Sequence, residues 1–438
     1  MNVILLSGGS GQRLWPLSND VRSKQFINIF KTESGEYESM VQRVYRQIKS
    51  IDEDATITIA TSKAQISSIN NQLGNEVGIS IEPCRRDTFP AIALATAYLT
   101  DVLSVDENDT VVVCPVDPYV DDAYFEALKK LDEIAKSGVA NLNLLGMEPT
   151  YPSAKYGYIM PVSKDDVSKV KAFKEKPDVE TAQKYIDEGA LWNGGVFAYK
   201  LKYVLDIAHK LIDFVDYKDL YSKYETLNKI SFDYAVAEKE ESISVMRFSG
   251  LWKDLGTWNT LTEAMEEPTI GNVVLDDDCV NTSVINELDI PVVCMGMEDV
   301  VVASSPQGIL VAQKKSTDTL KKHVEKLHQQ IMFAEKSWGS YTVIDVSENS
   351  LTIRVDLKAG HGMNYHSHEH RNEVWTITAG TGKTIVDGME QRVKPGDVIT
   401  MEAGCRHAIF ADSDMTLIEV QLGKEINADD KIKYELEV

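Results

Sequence analysis

The chain is predicted to open with an α/β domain built on a mostly parallel sheet, continue into a small β module and close in an all-β barrel. Three changes of rhythm predict this. From residue 1 to about 265, short apolar runs alternate with amphipathic stretches of helical period, the alternation that builds βα units. Between about 266 and 315, short strands joined by turns take over. From Trp338 onward, strands and glycine-rich corners dominate, as in all-β folds. The expected divisions are 1–265, 266–333 and 334–438.

The individual elements follow from local pattern. Val3 to Leu6 is a short, wholly apolar run, as are Ala55 to Thr61 and Thr110 to Val116 in large part, and such runs suit parallel strands buried on both faces. Helices are expected over Pro90 to Leu103 and Ala123 to Ser137. In the β module, strands are expected over Asn272 to Leu275, Ile290 to Met295, Val300 to Ala303 and Gly308 to Ala312, with a charged linking helix over Ser316 to Phe333. Corners of the barrel are expected at Gly360-His361-Gly362, Gly380-Thr381-Gly382 and Pro395-Gly396-Asp397.

With 438 residues the chain exceeds one core, and its formal charge of −23 argues against nucleic acid or an anionic membrane as partner. Any phosphate ligand must be held by a local cluster of cations. The five cysteines are scattered and lack CxxC spacing, which fits reduced thiols. No basic leader with an apolar stretch and no run approaching a membrane span is seen, so a soluble cytoplasmic protein is expected. The sequence leaves the oligomeric state open, a homo-oligomer included.

The stretch most suggestive of chemistry follows the first strand. Ser7, Gly8, Gly9, Ser10 and Gly11 form a loop whose bare backbone can approach an anion, and Arg13, Arg22 and Lys24 follow as cationic partners for phosphate. A phosphate loop of the GxxxxGK type is excluded, because Gly11 is followed by Gln12-Arg13 where lysine is required. A dinucleotide fingerprint would need a third glycine where Leu14 stands. The glycines alone fit a tight turn as well as a ligand loop; Arg13 and Lys24 favour the ligand loop.

The stretch GGSGQRLWPLS followed by SKQF resembles the signature of the sugar-nucleotide pyrophosphorylases, and most of all the mannose-1-phosphate guanylyltransferases among them. The resemblance implies a Rossmann-like nucleotidyltransferase domain that joins GTP and mannose 1-phosphate to give GDP-mannose and pyrophosphate, with Mg²⁺. It implies catalytic roles for Arg13 and Lys24, nucleotide contacts from the glycine loop and from Glu82 and Arg86 in EPCRRDT, and Mg²⁺ ligands in Asp117 and in Asp254 of WKDLGTW. For the sugar phosphate it implies Gly157, Glu175 and Lys176 of KEKP, Asn193 of WNGG, and Asp233 of SFDYA. This chain has Asp87 where the family usually has Asn, and Pro118 where it usually has His after the metal aspartate. Glu82 also has a chemical argument: one carboxylate can accept from both N1–H and N2–H₂ of guanine, a paired donor edge that the other bases lack.

In the tail, five of the eight histidines fall between His361 and His407. His366, His368, Glu373 and His407 resemble the HxH(x)₄E…H pattern of cupins, in which alternation along a strand points imidazoles and a carboxylate inward. A second divalent metal is therefore expected: Zn, Mn or Fe. HRNEVW resembles the cupin fused to mannose-1-phosphate guanylyltransferase in bifunctional phosphomannose isomerases, which implies isomerisation of mannose 6-phosphate. Those proteins usually carry Gln where His366 stands and Arg in an EDDxxR-like segment where this chain has ADDKIK. Rival readings are a pyrophosphorylase for another nucleotide and sugar pair, a sugar-nucleotide sensor without turnover, a dinucleotide-dependent oxidoreductase, and a cupin oxygenase.

Overall fold

The computed structural model describes the chain apart from Ser10, Gly11, Asp20, Glu175, His328, Gln329, Ala428, Asp429 and 436–438. Contacts divide it into two units. The first holds Met1–Ser10, Ser23–Ile66 and Gln72–Glu266, and the second holds Gly11–Arg22, Ser67–Asn71 and Glu267–Val438. The segment after the glycine loop thus groups with the C-terminal half.

The first unit is built on a nine-stranded sheet. Asn2–Leu6 lies inside it, parallel to Thr56–Ser62 on one side and to Thr110–Pro115 on the other. Val3, Ile4, Leu5, Val111, Val112 and Val113 have no exposed surface, which explains the unbroken apolar runs, since these strands bury both faces. Gly78–Glu82 extends the parallel side. Beyond Thr110–Pro115 the sheet becomes mixed, because Leu191–Lys200 runs antiparallel to both Thr110–Pro115 and Leu142–Met147.

The helix Thr88–Asp101 starts two residues before Pro90, because the Asp87 side chain accepts from the Thr88 amide at 2.8 Å and Pro90, in the first turn, has no amide to lose. Asp87 has φ +70° and ψ −178°, a region that residues other than glycine rarely adopt. Every residue from Phe89 to Ala97 is buried, as an apolar-all-round helix requires. The helix Asp122–Ser137 stops where Gly138 turns left-handed.

In the second unit, a four-stranded sheet combines Thr269–Ile270, Ser283–Asn286, Val300–Ser305 and Gly308–Gln313, and Val273–Leu275 pairs in parallel with Val292–Cys294. The segment 12–22 rests on this module. Ser305 Oγ donates to the Pro16 carbonyl at 2.8 Å, and Arg22 pairs with Glu287 at 2.8 Å. Gly308 leaves room for the Trp15 ring; a Cβ there would come within 2.5 Å of it.

The expected helix over Ser316 to Phe333 does not form as one element. A 3₁₀ stretch Lys314–Thr319 leads into the short helix Leu320–Val324, and Phe333–Lys336 is already a strand. Leu320–Val324 buries none of its residues, and a charged helix without an apolar stripe has no packing to extend it.

The tail forms a six-stranded and a five-stranded sheet around a core in which Val355, Trp375 and Leu417 have no exposed surface. The fold class is the expected mixture: an α/β nucleotidyltransferase fold, a small β module and an all-β cupin-like region. Among the described residues, no helix is long and apolar enough to cross a membrane.

Candidate functional site

Ser7 stands where the first strand meets the glycine loop, and its hydroxyl is turned inward. Its Oγ donates to Gln65 Oε1 at 3.2 Å and accepts from Gln25 Nε2 at 2.9 Å, while Gln65 Nε2 donates to Ser23 Oγ at 2.7 Å. Ser23 Oγ in turn donates to the Gly9 carbonyl at 3.0 Å. This buried chain of hydrogen bonds fixes the loop from below and leaves Gly8 and Gly9 exposed. Ser10 and Gly11 lie outside the described residues. Arg13 is exposed on the 3₁₀ turn Gln12–Leu14.

Gly8 and Gly9 border a cavity of about 230 Å³ that Glu82, Arg85, Thr88 and Ala91 also line. A Cβ on Gly8 would lie 4.0 Å from Glu82 Oε1, so that carboxylate oxygen faces the loop. The other oxygen accepts from the Tyr224 hydroxyl at 2.7 Å. Burial pushes the Glu82 carboxyl up, with Tyr224 and Arg85 opposing. Arg85, whose guanidinium donates to the Gly9 carbonyl at 3.2 Å, reaches the cavity; Arg86 turns away and donates to the Glu225 carbonyl. Neither Tyr224 nor the position of Arg85 was singled out from sequence, and no local pattern marks Tyr224, 142 residues from Glu82.

Lys24 gathers the two aspartates. Its Nζ lies 2.9 Å from Asp117 Oδ2 and 3.5 Å from Asp254 Oδ1, and donates to the Leu255 carbonyl at 3.3 Å. Asp254 meets Pro118 in the short antiparallel pairing of Trp252–Asp254 with Pro118–Val120, so segments far apart in the chain close onto one spot. Burial works against the Lys24 charge, but the two carboxylates outweigh it and its pKa is raised. One ammonium against two carboxylates leaves one negative charge. Two partly exposed carboxylates with a residual charge are an oxygen donor set that suits Mg²⁺.

Asn193 on the strand Leu191–Lys200, Asp233 at the start of a helical turn and Gly157 just before the strand Tyr158–Pro161 come together. Asn193 Nδ2 donates to Asp233 Oδ1 at 2.6 Å, and its backbone amide donates to the Gly157 carbonyl at 2.8 Å. Tyr156, Trp192 and Trp252 form an aromatic group with ring centroids 5.0 to 6.2 Å apart; their adjacency was not evident in the sequence. Lys176 has φ +34°. Glu175 lies outside the described residues.

In the tail, His366, His368, Glu373 and His407 are all buried, and their ligand atoms lie within 4.8 Å of one another. Each imidazole sets Nδ1 against a backbone carbonyl: His366 on Asn364 at 2.5 Å, His407 on Cys405 at 3.1 Å, and His368 on Asp430. That orientation is the one in which Nε2 can ligate a metal, although Arg371 meets His368 Nε2 here. His407 Nε2 is buried without a hydrogen-bond partner, although it lies 3.2 Å from Glu373 Oε2. Burial, helped by Lys431, brings the His366 pKa down to about 3, which keeps its ring neutral, as a ligand must be. Burial opposes the Glu373 charge, but His407, His368 and Arg371 outweigh it and hold its carboxyl at about 2. The donor set fits a divalent transition metal. Arg371 approaches two of the ligands, with Nε 2.9 Å from Glu373 Oε1 and Nη2 3.0 Å from His368 Nε2. Inside the barrel, burial pushes the Glu419 carboxyl up to about 8.

Residues 2–269 match the family model described as nucleotidyl transferase, and residues 321–436 match that described as mannose-6-phosphate isomerase C-terminal. The mannose-1-phosphate guanylyltransferase of Salmonella montevideo is 28% identical over 478 aligned residues, covering 98% of each chain. That of Escherichia coli (strain K12) is 29% identical over 476, covering 98% of this chain and 97% of its own. Among solved structures, the mannose-1-phosphate geranyltransferase from Thermus thermophilus is similar with a TM-score of 0.62 and 27% identity, covering 75% of this chain and 99% of its own.

Proposed function

The chain belongs to the nucleotidyl transferase family, and from that premise we propose that it is a mannose-1-phosphate guanylyltransferase, an enzyme joining GTP and mannose 1-phosphate into GDP-mannose. A phosphate oxygen of the sugar phosphate attacks the α-phosphorus in line, the bond from Pα to the bridging oxygen breaks, and pyrophosphate leaves with that oxygen. No covalent nucleophile is needed, so catalysis is positioning and charge neutralisation. The observation that carries the reading is Lys24 held between Asp117 and Asp254, one cation against a pair of oxygen donors, Asp117 just past a parallel strand and Asp254 in the short antiparallel pairing beside it.

Lys24 and Arg13 are assigned to the triphosphate, with the backbone of Ser7 to Gly11 cradling it. Glu82 accepts from the guanine edge with the oxygen that Tyr224 leaves open, and Arg86 supports that wall from behind. Gly157, Glu175, Lys176, Asn193 and Asp233 are assigned to the sugar phosphate. Mg²⁺ bound by Asp117 and Asp254 supplies neutralisation of phosphate charge. The divisions 1–265, 266–333 and 334–438 are proposed as the functional modules, working in the cytoplasm on small molecules.

For the tail, the buried three-histidine, one-glutamate cluster favours a second reading, a metal-dependent mannose-6-phosphate isomerase. Zn, Mn or Fe held by His366, His368, Glu373 and His407 supplies polarisation of a substrate oxygen. Glu419 is buried within the same barrel.

The test is pyrophosphate release from a panel of nucleoside triphosphates and sugar 1-phosphates with Mg²⁺. Turnover with GTP and mannose 1-phosphate is expected. Turnover with another pair would redirect the substrate assignment, and GDP-mannose binding without turnover would make the protein a sensor.

A further inference from the structure

A second cavity in the first unit, of about 580 Å³, is not used by the transfer chemistry. It lies where the start of the helix Thr88–Asp101 faces the end of the helix Leu201–Leu211 and the 3₁₀ turn Tyr224–Thr226. Its size falls in the range of small-molecule sites, roughly 300 to 1,000 Å³. Phe89 and Ala235 contribute buried apolar wall, and Leu227 and Ile230 partly buried wall. Its charged lining is Lys223, Lys239 and Asp213; Lys223 is already paired with Asp219, and Lys239 is exposed at the rim. Lys223 is held in place, donating to Asp219 Oδ2 and to the Asp213 carbonyl, both at 2.9 Å. An apolar pocket with an exposed lysine at its rim suits a ligand that is mostly apolar and carries one acidic group to meet Lys239.

This cavity shares its walls with the smaller one. Phe89 and Pro90 line the larger cavity while Thr88 and Ala91, on the same helical turn, line the smaller. The Phe89 amide donates to the Ile230 carbonyl at 3.1 Å, and the Ile230 amide donates to the Arg86 carbonyl at 3.3 Å. The Leu227 amide donates to the Tyr224 carbonyl at 3.2 Å, and the Tyr224 hydroxyl reaches Glu82 at 2.7 Å. A ligand pressing on Leu227 and Ile230 therefore acts on the residues that set Glu82 and the start of the helix.

We propose that the larger cavity is a binding site for a small amphiphilic anion, an apolar ring or chain with one acidic group, and that its occupancy is coupled to the cavity that holds Glu82. The coupling rests on the reading of the smaller cavity as the base site. Coupling between two sites is reciprocal, so it is measurable from either side.

The test uses 8-anilinonaphthalene-1-sulfonate as probe on the full-length chain, followed by fluorescence with and without GTP. One saturable probe site per chain is expected, with saturating GTP shifting its Kd about fivefold or more. Leu211→Glu and Lys239→Glu change exposed lining residues, so the fold should tolerate them; each should weaken probe binding about tenfold or more and leave pyrophosphate release unchanged. Probe binding that neither variant moves would overturn the site. Probe binding that ignores GTP, while GTP itself binds, would overturn the coupling. If GTP does not bind at all, the base-site reading fails, and the two variants alone decide whether the larger cavity is a site.

Discussion

Asp117 and Asp254 are partly exposed carboxylates whose near neighbour is a lysine, whereas His366, His368, Glu373 and His407 form a buried cluster whose three imidazoles are oriented from behind by backbone carbonyls. The first arrangement suits a cation that arrives with substrate phosphates, since oxygen donors in contact with water exchange Mg²⁺ readily. The second suits a resident metal, since buried imidazoles with an oriented second shell bind tightly. The two donor sets thus differ in burial and in ligand type.

The comparison is sharpened most by removing the charge that organises the open site. Lys24→Ala should lower pyrophosphate release roughly 10²- to 10³-fold, the size of effect seen when a preorganised electrostatic contact is lost, and Asp254→Asn should do the same; near-normal rates in both would break the assignment. Next is independence of the closed site. His368→Ala should lower metal content, measured by atomic absorption, and leave pyrophosphate release intact; a matched loss of transferase activity would show that the two centres are not separate.

A smaller effect is expected for base choice. Glu82→Gln should weaken GTP preference by about 1–3 kcal/mol, read as kcat/KM for GTP against the other triphosphates; an unchanged ratio would remove Glu82 from the base site. The smallest concerns the residue behind it. Tyr224→Phe removes the hydrogen bond that orients the buried Glu82 carboxyl, so KM for GTP should rise several-fold with kcat nearly constant.

Much of the fold was legible because it is written in local pattern. The apolar runs at Val3 to Leu6 and Thr110 to Val116 became central strands, and the helix at Ala123 to Ser137 appeared within one residue of its expected start. The helix expected over Ser316 to Phe333 failed because period without a buried stripe does not sustain a helix. The HxH spacing was readable for a similar reason: His366, in the strand Gly362–Ser367, and His368, one residue past its end, are near neighbours in the chain, and only Glu373 and His407 needed the barrel to close.

By itself, then, the sequence determined the order of the modules, the glycine loop and the ligand chemistry of the tail, because each depends on neighbours in the chain. Tertiary structure alone decided which groups meet. It set Lys24 between Asp117 and Asp254, turned Arg85 toward the cavity and Arg86 toward Glu225, and brought Tyr224 to Glu82. Those contacts join residues far apart in the chain, and no period or spacing encodes a distance that only the packed sheet and its helices create.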